Sequence, residues 1–347
     1  MSAKLNIFVT GATGYIGGTV VGRLLQHPKA ASFDITALVR SAEKAKKLQS
    51  LGIKTVLGSY TDENLDFLIE AVSKADVVFA IADSDNVPAA LAVLAGLKIH
   101  HEKTGKVPIL IHTSGAAFIT DDARGLHADH RTYSDLDTEA LNALPETLLH
   151  RNVDIPVIEA DKAGFVKAYI IIPGAVLGHP SGPVADLEIQ NMHTILSPFF
   201  MKPAISRKQA GYFGKGLNTW SAVDNNDTAD LFIVVFDAAI GNTPVAGHGP
   251  EGYYFAESFE YSMLEMAQIV SDKLFELGIA SSRETSAYSQ EELEKYFGSF
   301  PWTILASNAH AKADRARALG WVPKHGKEAV MATLKDEVVF YANEAST

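Results

Sequence analysis

The sequence predicts an α/β fold, a doubly wound parallel sheet with a smaller C-terminal lobe. Three observations carry this. Over the first 115 residues, short, continuously apolar runs alternate with amphipathic stretches of helical spacing, the pattern of parallel strands covered on both faces. The first apolar run opens into glycines at intervals of three. Beyond residue 178 the alternation loosens, in a chain of 347 residues that is long for a single unit.

The elements follow in order. Leu5–Thr10 is a β-rich run. Ile16, Val20, Val21, Leu24 and Leu25 then recur at helical spacing, and Pro28 ends that helix. Asp34–Val39 is a second strand, and Ser41–Gly52 a helix with a serine cap and a terminal glycine. Lys54–Gly58 is a third strand, and a helix over 62–75 takes Asp62 as its cap. Asp76–Ala82 is strand four, a helix runs from about Pro88 to Lys103, and Val107–Gly115 holds strand five. Residues 116–145 are polar and irregular, and a helical stretch then runs to about Gly164. Lys167–Gly174 is a sixth strand. After a glycine-proline loop, residues 185–213 read as helix and loop. Asn218–Asp224 is a short strand, followed by a helix capped by Asn226 or Asp227; Gly252–Glu257 is one more strand. Helices near 262–277 and 289–297 complete the pattern, which Ala313–Pro323 closes. The expected units are 1–178, to which 214–256 returns in part, and a smaller lobe of 179–213 with 257–347.

Composition removes several function classes. The net charge is −11, from 30 basic and 41 acidic residues, with no basic run, so nucleic acid is not an expected partner. No apolar run approaches the roughly 18 residues that span a bilayer, so no membrane segment is expected. The chain has no cysteine, which excludes disulfides, a thiol nucleophile and thiolate-bound zinc, and fits a cytoplasmic protein. The N-terminal residues show no leader pattern. His127 and His130 flank Asp129, but the loop supplies no third ligand, so no metal site is expected.

The stretch "VTGATGYIGG", Val9–Gly18, points to a dinucleotide seat. Gly11 permits a tight turn, Gly14 lets the backbone approach a pyrophosphate, and Gly17 lets the new helix pack on its strand. Thr13, Tyr15 and Ile16 belong to the same seat, because free N–H groups at a helix start attract phosphate. Where an NAD site places an acidic residue on the ribose, the second strand ends in Arg40, with Lys44 following. A guanidinium pairs well with phosphate, so NADP (NADPH) is expected rather than NAD.

With "LVR", "DVVFAIA", "LIHTSG", "IIIPGAVLGHPSGP", "GKGLNTWSAVDNNDTADL" and "ARALGWVP" added, the chain resembles the extended short-chain dehydrogenase/reductase family, in its NAD(P)-dependent epimerase, dehydratase and ketone-reductase branch. The resemblance implies a Rossmann-type first unit and a substrate-binding C-terminal lobe. It also implies that Ala82, Thr113, Pro173, Gly174 and Ala175 line the cofactor site, and that the protein forms a homodimer. The family's chemistry needs a Tyr and a Lys four residues later, plus a Ser after strand five. No such Tyr-x-x-x-Lys is present, Tyr133 is followed by Asp137, and Gly115 stands where the Ser would be. The family spacing places His150 at the Tyr position and Asp154 at the Lys position. A carboxylate can orient an imidazole that titrates near neutrality. Alternatively, Pro156 starts a helix over 155–163 and Asp154 merely caps it. Candidate catalytic residues are therefore His150, Asp154, Ser114 as an oxygen-holding group, and Tyr133 as a second proton donor.

Three functions follow. The first is NADPH-dependent reduction of a carbonyl on a small organic substrate. The second is a non-redox acid–base reaction with the dinucleotide as a structural element. The third is a sensor of NAD(P) redox state, resembling nitrogen-metabolite-repression regulators, which also lack the Tyr and Lys.

Overall fold

The computed structural model describes residues 4–241, 243, 246–298 and 301–346. Its main sheet has seven parallel strands: β1 (Leu5–Thr10), β2 (Phe33–Val39), β3 (Lys54–Leu57), β4 (Val77–Ala80), β5 (Ile109–Thr113), β6 (Lys167–Pro173) and β7 (Tyr253–Ala256). They lie in the order β7-β6-β5-β4-β1-β2-β3. The direction of winding therefore reverses between β1 and β4, where an open α/β sheet leaves a crevice at its carboxyl edge. Central strands are largely apolar because both faces are covered. Ile7, Phe8 and Val9 are at most 1% exposed, and Val77, Val78 and Phe79 are at 0%.

Helices α1 (Tyr15–Leu25), α2 (Ala42–Ser50), α3 (Asp66–Val72), α4 (Val87–Thr104), α5 (Arg151–Lys162) and α6 (Asn225–Ile240) cover the sheet. α1 packs on α6, tied by Thr19 donating to Asn225 at 2.7 Å and by an Arg23–Asp230 ion pair at 2.7 Å. α3, α4 and α5 pack in succession. Two caps differ from expectation. α3 begins at Asp66, because the Asp62 carboxylate turns back to accept from the Ser59 N–H at 2.8 Å. α6 is capped by Asp224, which accepts from the Asn226 N–H at 2.7 Å; Asn226 and Asp227 lie inside its first turn.

The remaining chain forms a second layer. Ala175–Leu177, Thr219–Asp224 and Phe259–Ser262 make a three-stranded sheet. Helices Ser197–Arg207, Met263–Glu276, Gln290–Phe297 and Leu334–Glu344 surround it, two of them opening on Ser–Glu capping boxes. The short strand Thr132–Ser134 pairs with His310–Lys312, so the polar segment after β5 is held by the C-terminal residues. Phe213 stacks on Trp302 at 5.8 Å, and Trp220 donates to the Ser307 carbonyl at 2.8 Å, so both serve packing. Among the described residues, no helix is long and apolar enough to cross a membrane.

Candidate functional site

The crevice is flanked by two built regions. On the β1 side, Gly11 has φ +74°, and an added Cβ would stand 2.8 Å from the Ile81 carbonyl beyond β4. At Gly17 an added Cβ would meet the Gly11 oxygen at 2.2 Å. These glycines let the turn, the helix and the neighbouring strand close on one another. At Gly14, by contrast, the added atom would meet only the Gly11 carbonyl, at 3.1 Å, leaving the outer face of the loop open. No side chain caps α1 and no acidic residue lies in its first turn. An open glycine, uncapped amides and the positive end of a helix suit a pyrophosphate.

The loop is held from behind. Gln190 donates to the Tyr15 carbonyl at 2.9 Å, the Asn191 N–H donates to the Thr13 carbonyl at 2.9 Å, and the buried Tyr15 hydroxyl donates to the Gly178 carbonyl. Burial holds that phenol well above its ordinary pKa, so it stays a donor. Ile16 follows in the first turn of α1. Arg40 is exposed just past β2, and Lys44 lies in the first turn of α2, where its N–H bonds the Ser41 cap at 3.3 Å. At the β4 and β5 ends, Ala82 is half-buried, and the Thr113 hydroxyl is buried without a hydrogen-bond partner among the described residues. An orphaned hydroxyl there is a fit for a ligand group in the crevice. Pro173 ends β6, and Gly174 and Ala175 run into the three-stranded sheet, an added Cβ at Gly174 meeting the Ser221 carbonyl at 2.2 Å.

On the β5 side, His150, Asp154, Ser114 and the unanticipated His112 and Asp85 come together. His150 is the N-cap of α5, with φ +69°. Such a backbone is costly for a non-glycine residue and persists only where its surroundings enforce it. Asp85, in the β4–α4 loop, does so. One carboxylate oxygen accepts from the His150 backbone N–H at 3.0 Å, and the two oxygens lie 3.0 and 3.1 Å from its Nδ1. Ser84 Oγ is 3.1 Å from the same nitrogen. The other ring nitrogen, Nε2, lies against Gly115, where an added Cβ would be 2.9 Å away. Burial pushes the Asp85 carboxyl up, but its hydrogen bonds to His150 and the imidazole charge outweigh that and leave it below its ordinary value.

Asp154 does not orient His150. The helix starts at Arg151, so Asp154 is one turn in rather than a cap, and Pro156 sits inside the helix. The Asp154 side chain is fully buried and accepts from Ser114 Oγ at 2.9 Å. Ser114 is thereby committed inward and is not placed to hold a substrate oxygen. His112 Nε2 lies 3.6 Å from Asp154 Oδ1, and neither atom has another partner among the described residues. Burial drives the Asp154 pKa up to about 7, and drives His112 down to about 4, helped by the His150 charge. The geometry of an ion pair is present, but in neutral solution His112 is uncharged. Arg151, fully buried, donates to Tyr253 Oη at 3.0 Å, and its charge moderates the rise at Asp154.

Tyr133 is carried by a different element. It sits on the strand paired with His310–Lys312, with its ring 4.7 Å from the Arg131 guanidinium. His130 bonds the Ile119 carbonyl at 2.9 Å, as expected of a structural histidine in that loop. A separate group, Asp224, Asp227 and His325, has ligand atoms within 4.8 Å of one another. Its carboxylates already accept the Asn226, Lys324 and His325 amides.

Residues 3–99 match the model of the NmrA-like family. There is 27% identity across 339 residues, 91% of this chain and 92% of the relative, to the oxidase ucsJ of an Acremonium species. A shorter match, 30% identical over 132 residues, covers 36% of this chain and 38% of a farnesyl-dihydroquinoline-oxide ketoreductase of Stigmatella aurantiaca. Among solved structures, the dTDP-glucose 4,6-dehydratase of Bacillus anthracis in complex with NAD superposes with a TM-score of 0.62 at 15% identity, covering 98% of each chain.

Proposed function

We propose that this chain, which has the fold of the extended short-chain dehydrogenases/reductases and matches the NmrA-like family over residues 3–99, is an NAD(P)-dependent oxidoreductase that uses NADPH to reduce a carbonyl of a small organic substrate. The observation that carries the reading is His150: a strained, anchored imidazole whose Nε2 faces the Gly115 backbone at the position the family gives to its Tyr. The oxidase and ketoreductase names of two relatives support the same class of chemistry.

A dinucleotide bound along the crevice would supply the hydride. Gly11, Gly14, Gly17 and the first amides of α1 would hold its pyrophosphate, and Thr113 would meet the end near β5. Arg40 and Lys44, with no acidic residue at the end of β2, favour the extra phosphate of NADP. His150 Nε2, when protonated, gives its proton to a substrate oxygen placed over Gly115, and takes one in the reverse direction. The buried Ser114–Asp154–His112 group stays behind the reacting face and fixes the start of α5 against β5.

The NmrA-like match covers the nucleotide half, without His150, so it supports dinucleotide binding more than a sensing role. The test is NADPH oxidation across a panel of aldehydes and ketones, with His150→Ala as control. Turnover in the wild type and its loss in the variant support the reading. Tight NADPH binding with no turnover of any carbonyl overturns it.

A further inference from the structure

We propose that Asp85 is the positioning residue of this site: from the β4–α4 loop it fixes both the backbone and the tautomer of His150, so that the proton-exchanging nitrogen is Nε2, facing Gly115. This rests on reading His150 as the proton-transfer residue. The expected partner in sequence, Asp154, is turned away on Ser114.

The geometry favours one arrangement of protons. An ionised carboxylate only accepts. Both Asp85 oxygens lie within 3.1 Å of Nδ1, so Nδ1 carries hydrogen, and in the neutral ring Nε2 then bears the lone pair. Ser84 Oγ lies 3.1 Å from Nδ1 and 3.5 Å from Asp85 Oδ2; by donating to the carboxylate and accepting a share of the Nδ1–H it fits the same tautomer. Asp85 Oδ1, the oxygen 3.0 Å from Nδ1, also accepts the His150 backbone N–H, and the Asp85 carbonyl accepts from Asn152 Nδ2 at 3.3 Å. One loop residue thus anchors the left-handed turn, the ring plane and the tautomer together. His112 and Asp154 are the other titratable groups whose charge His150 affects, and both are sealed within the core. Where the family uses a helix-borne Tyr and Lys, this chain would use a loop-to-helix pair, Asp85 and His150, joined across 65 residues.

The test is the ring-nitrogen spectrum of ¹⁵N-histidine-labelled protein at about pH 8.5, where imidazoles are neutral, with His150→Gln identifying the signal. The wild type should show hydrogen on Nδ1. Asp85→Asn keeps an acceptor for the backbone N–H but presents an amide able to donate to Nδ1, so the Nε2–H form should appear. Ser84→Ala should leave the tautomer unchanged. Turnover in Asp85→Asn should fall by about 10²- to 10⁴-fold, the scale of general acid–base catalysis, and Asp85→Glu, which restores the carboxylate, should recover part of it. A wild-type ring with hydrogen on Nε2 overturns the proposal, even if no variant folds. So does an Asp85→Asn protein with wild-type tautomer and turnover. If the tautomer shifts as stated but no carbonyl is reduced by the wild type, the positioning role stands and the reductase reading falls.

Discussion

Replacing Gly115 with alanine should slow the enzyme without loosening its cofactor. The new Cβ would stand 2.9 Å from His150 Nε2, 3.4 Å from Cδ2 and 3.7 Å from Cε1. Ordinary carbon contacts lie near 3.5–4.0 Å, so the ring must retreat by roughly 0.7 Å. It cannot do so freely, because Asp85 grips Nδ1 and the left-handed backbone at once. Overpacking of this kind costs about 1–3 kcal/mol. At about 2.1 cal/mol/K per residue for a chain of this length, that lowers Tm by only about 1–4 °C. The functional effect is larger, since a misplacement near 1 Å costs on the order of 10²-fold in rate. We expect kcat for carbonyl reduction to fall about 10- to 100-fold in a folded Gly115→Ala protein, with the Kd for NADPH within about two-fold of wild type. Steady-state kinetics with a fluorescence titration of NADPH would measure both. A folded variant with wild-type kcat would refute the claim that Nε2 works from its place over Gly115.

Other consequences concern charge. Asp154 is held at about 7 in the fold against 3.8 unfolded, so the folded chain keeps a proton that the unfolded chain releases. That costs stability progressively between about pH 4 and 7, reaching on the order of 4 kcal/mol above pH 7, with no cost below pH 4. Asp154→Asn should therefore gain stability over wild type in denaturant melts at pH 8 and gain none at pH 4; equal differences at both values would refute it. His112, lowered to about 4 from 6.5, works the other way, costing stability below pH 6.5. The variant's stability should thus climb with pH between about 4 and 6.5. Arg40→Ala should weaken NADPH relative to NADH by about 10- to 100-fold, the scale of a lost charge-assisted phosphate contact, measured as Kd for each cofactor; an unchanged ratio would remove Arg40 from the cofactor site.

The sheet was legible because its signals are local. The short apolar runs of the strands and the Gly11–Gly14–Gly17 turn need no knowledge of distant residues. Helix starts were less so: Asp62 and Asp227 read as caps, yet each carboxylate found a different partner once the chain folded. The candidate site lay between these cases. Spacing from β6 points to His150, but helical spacing points to Asp154, four residues on, as its carboxylate. The structure supplies it from Asp85, 65 residues earlier, because His150 is the helix cap and not a member of its face. The signal for Asp85 was only an acid-rich loop after strand four, "ADSDN", which is common on surfaces. His112 was visible as a lone histidine in an otherwise apolar strand, but its closeness to Asp154 depends on how α5 packs on β5.

In the proposed reaction His150 moves the proton, and a bound nicotinamide dinucleotide would supply the hydride. The most direct test follows deuterium from C4-labelled NADPH into the alcohol product, in the wild type and in His150→Ala, with NADPH affinity measured for both. Label is expected in the wild-type product, with a loss of about 10²-fold or more in the variant at unchanged affinity. Label transferred at the same rate without the imidazole, or NADPH bound tightly by the wild type with no label reaching any carbonyl, would contradict it.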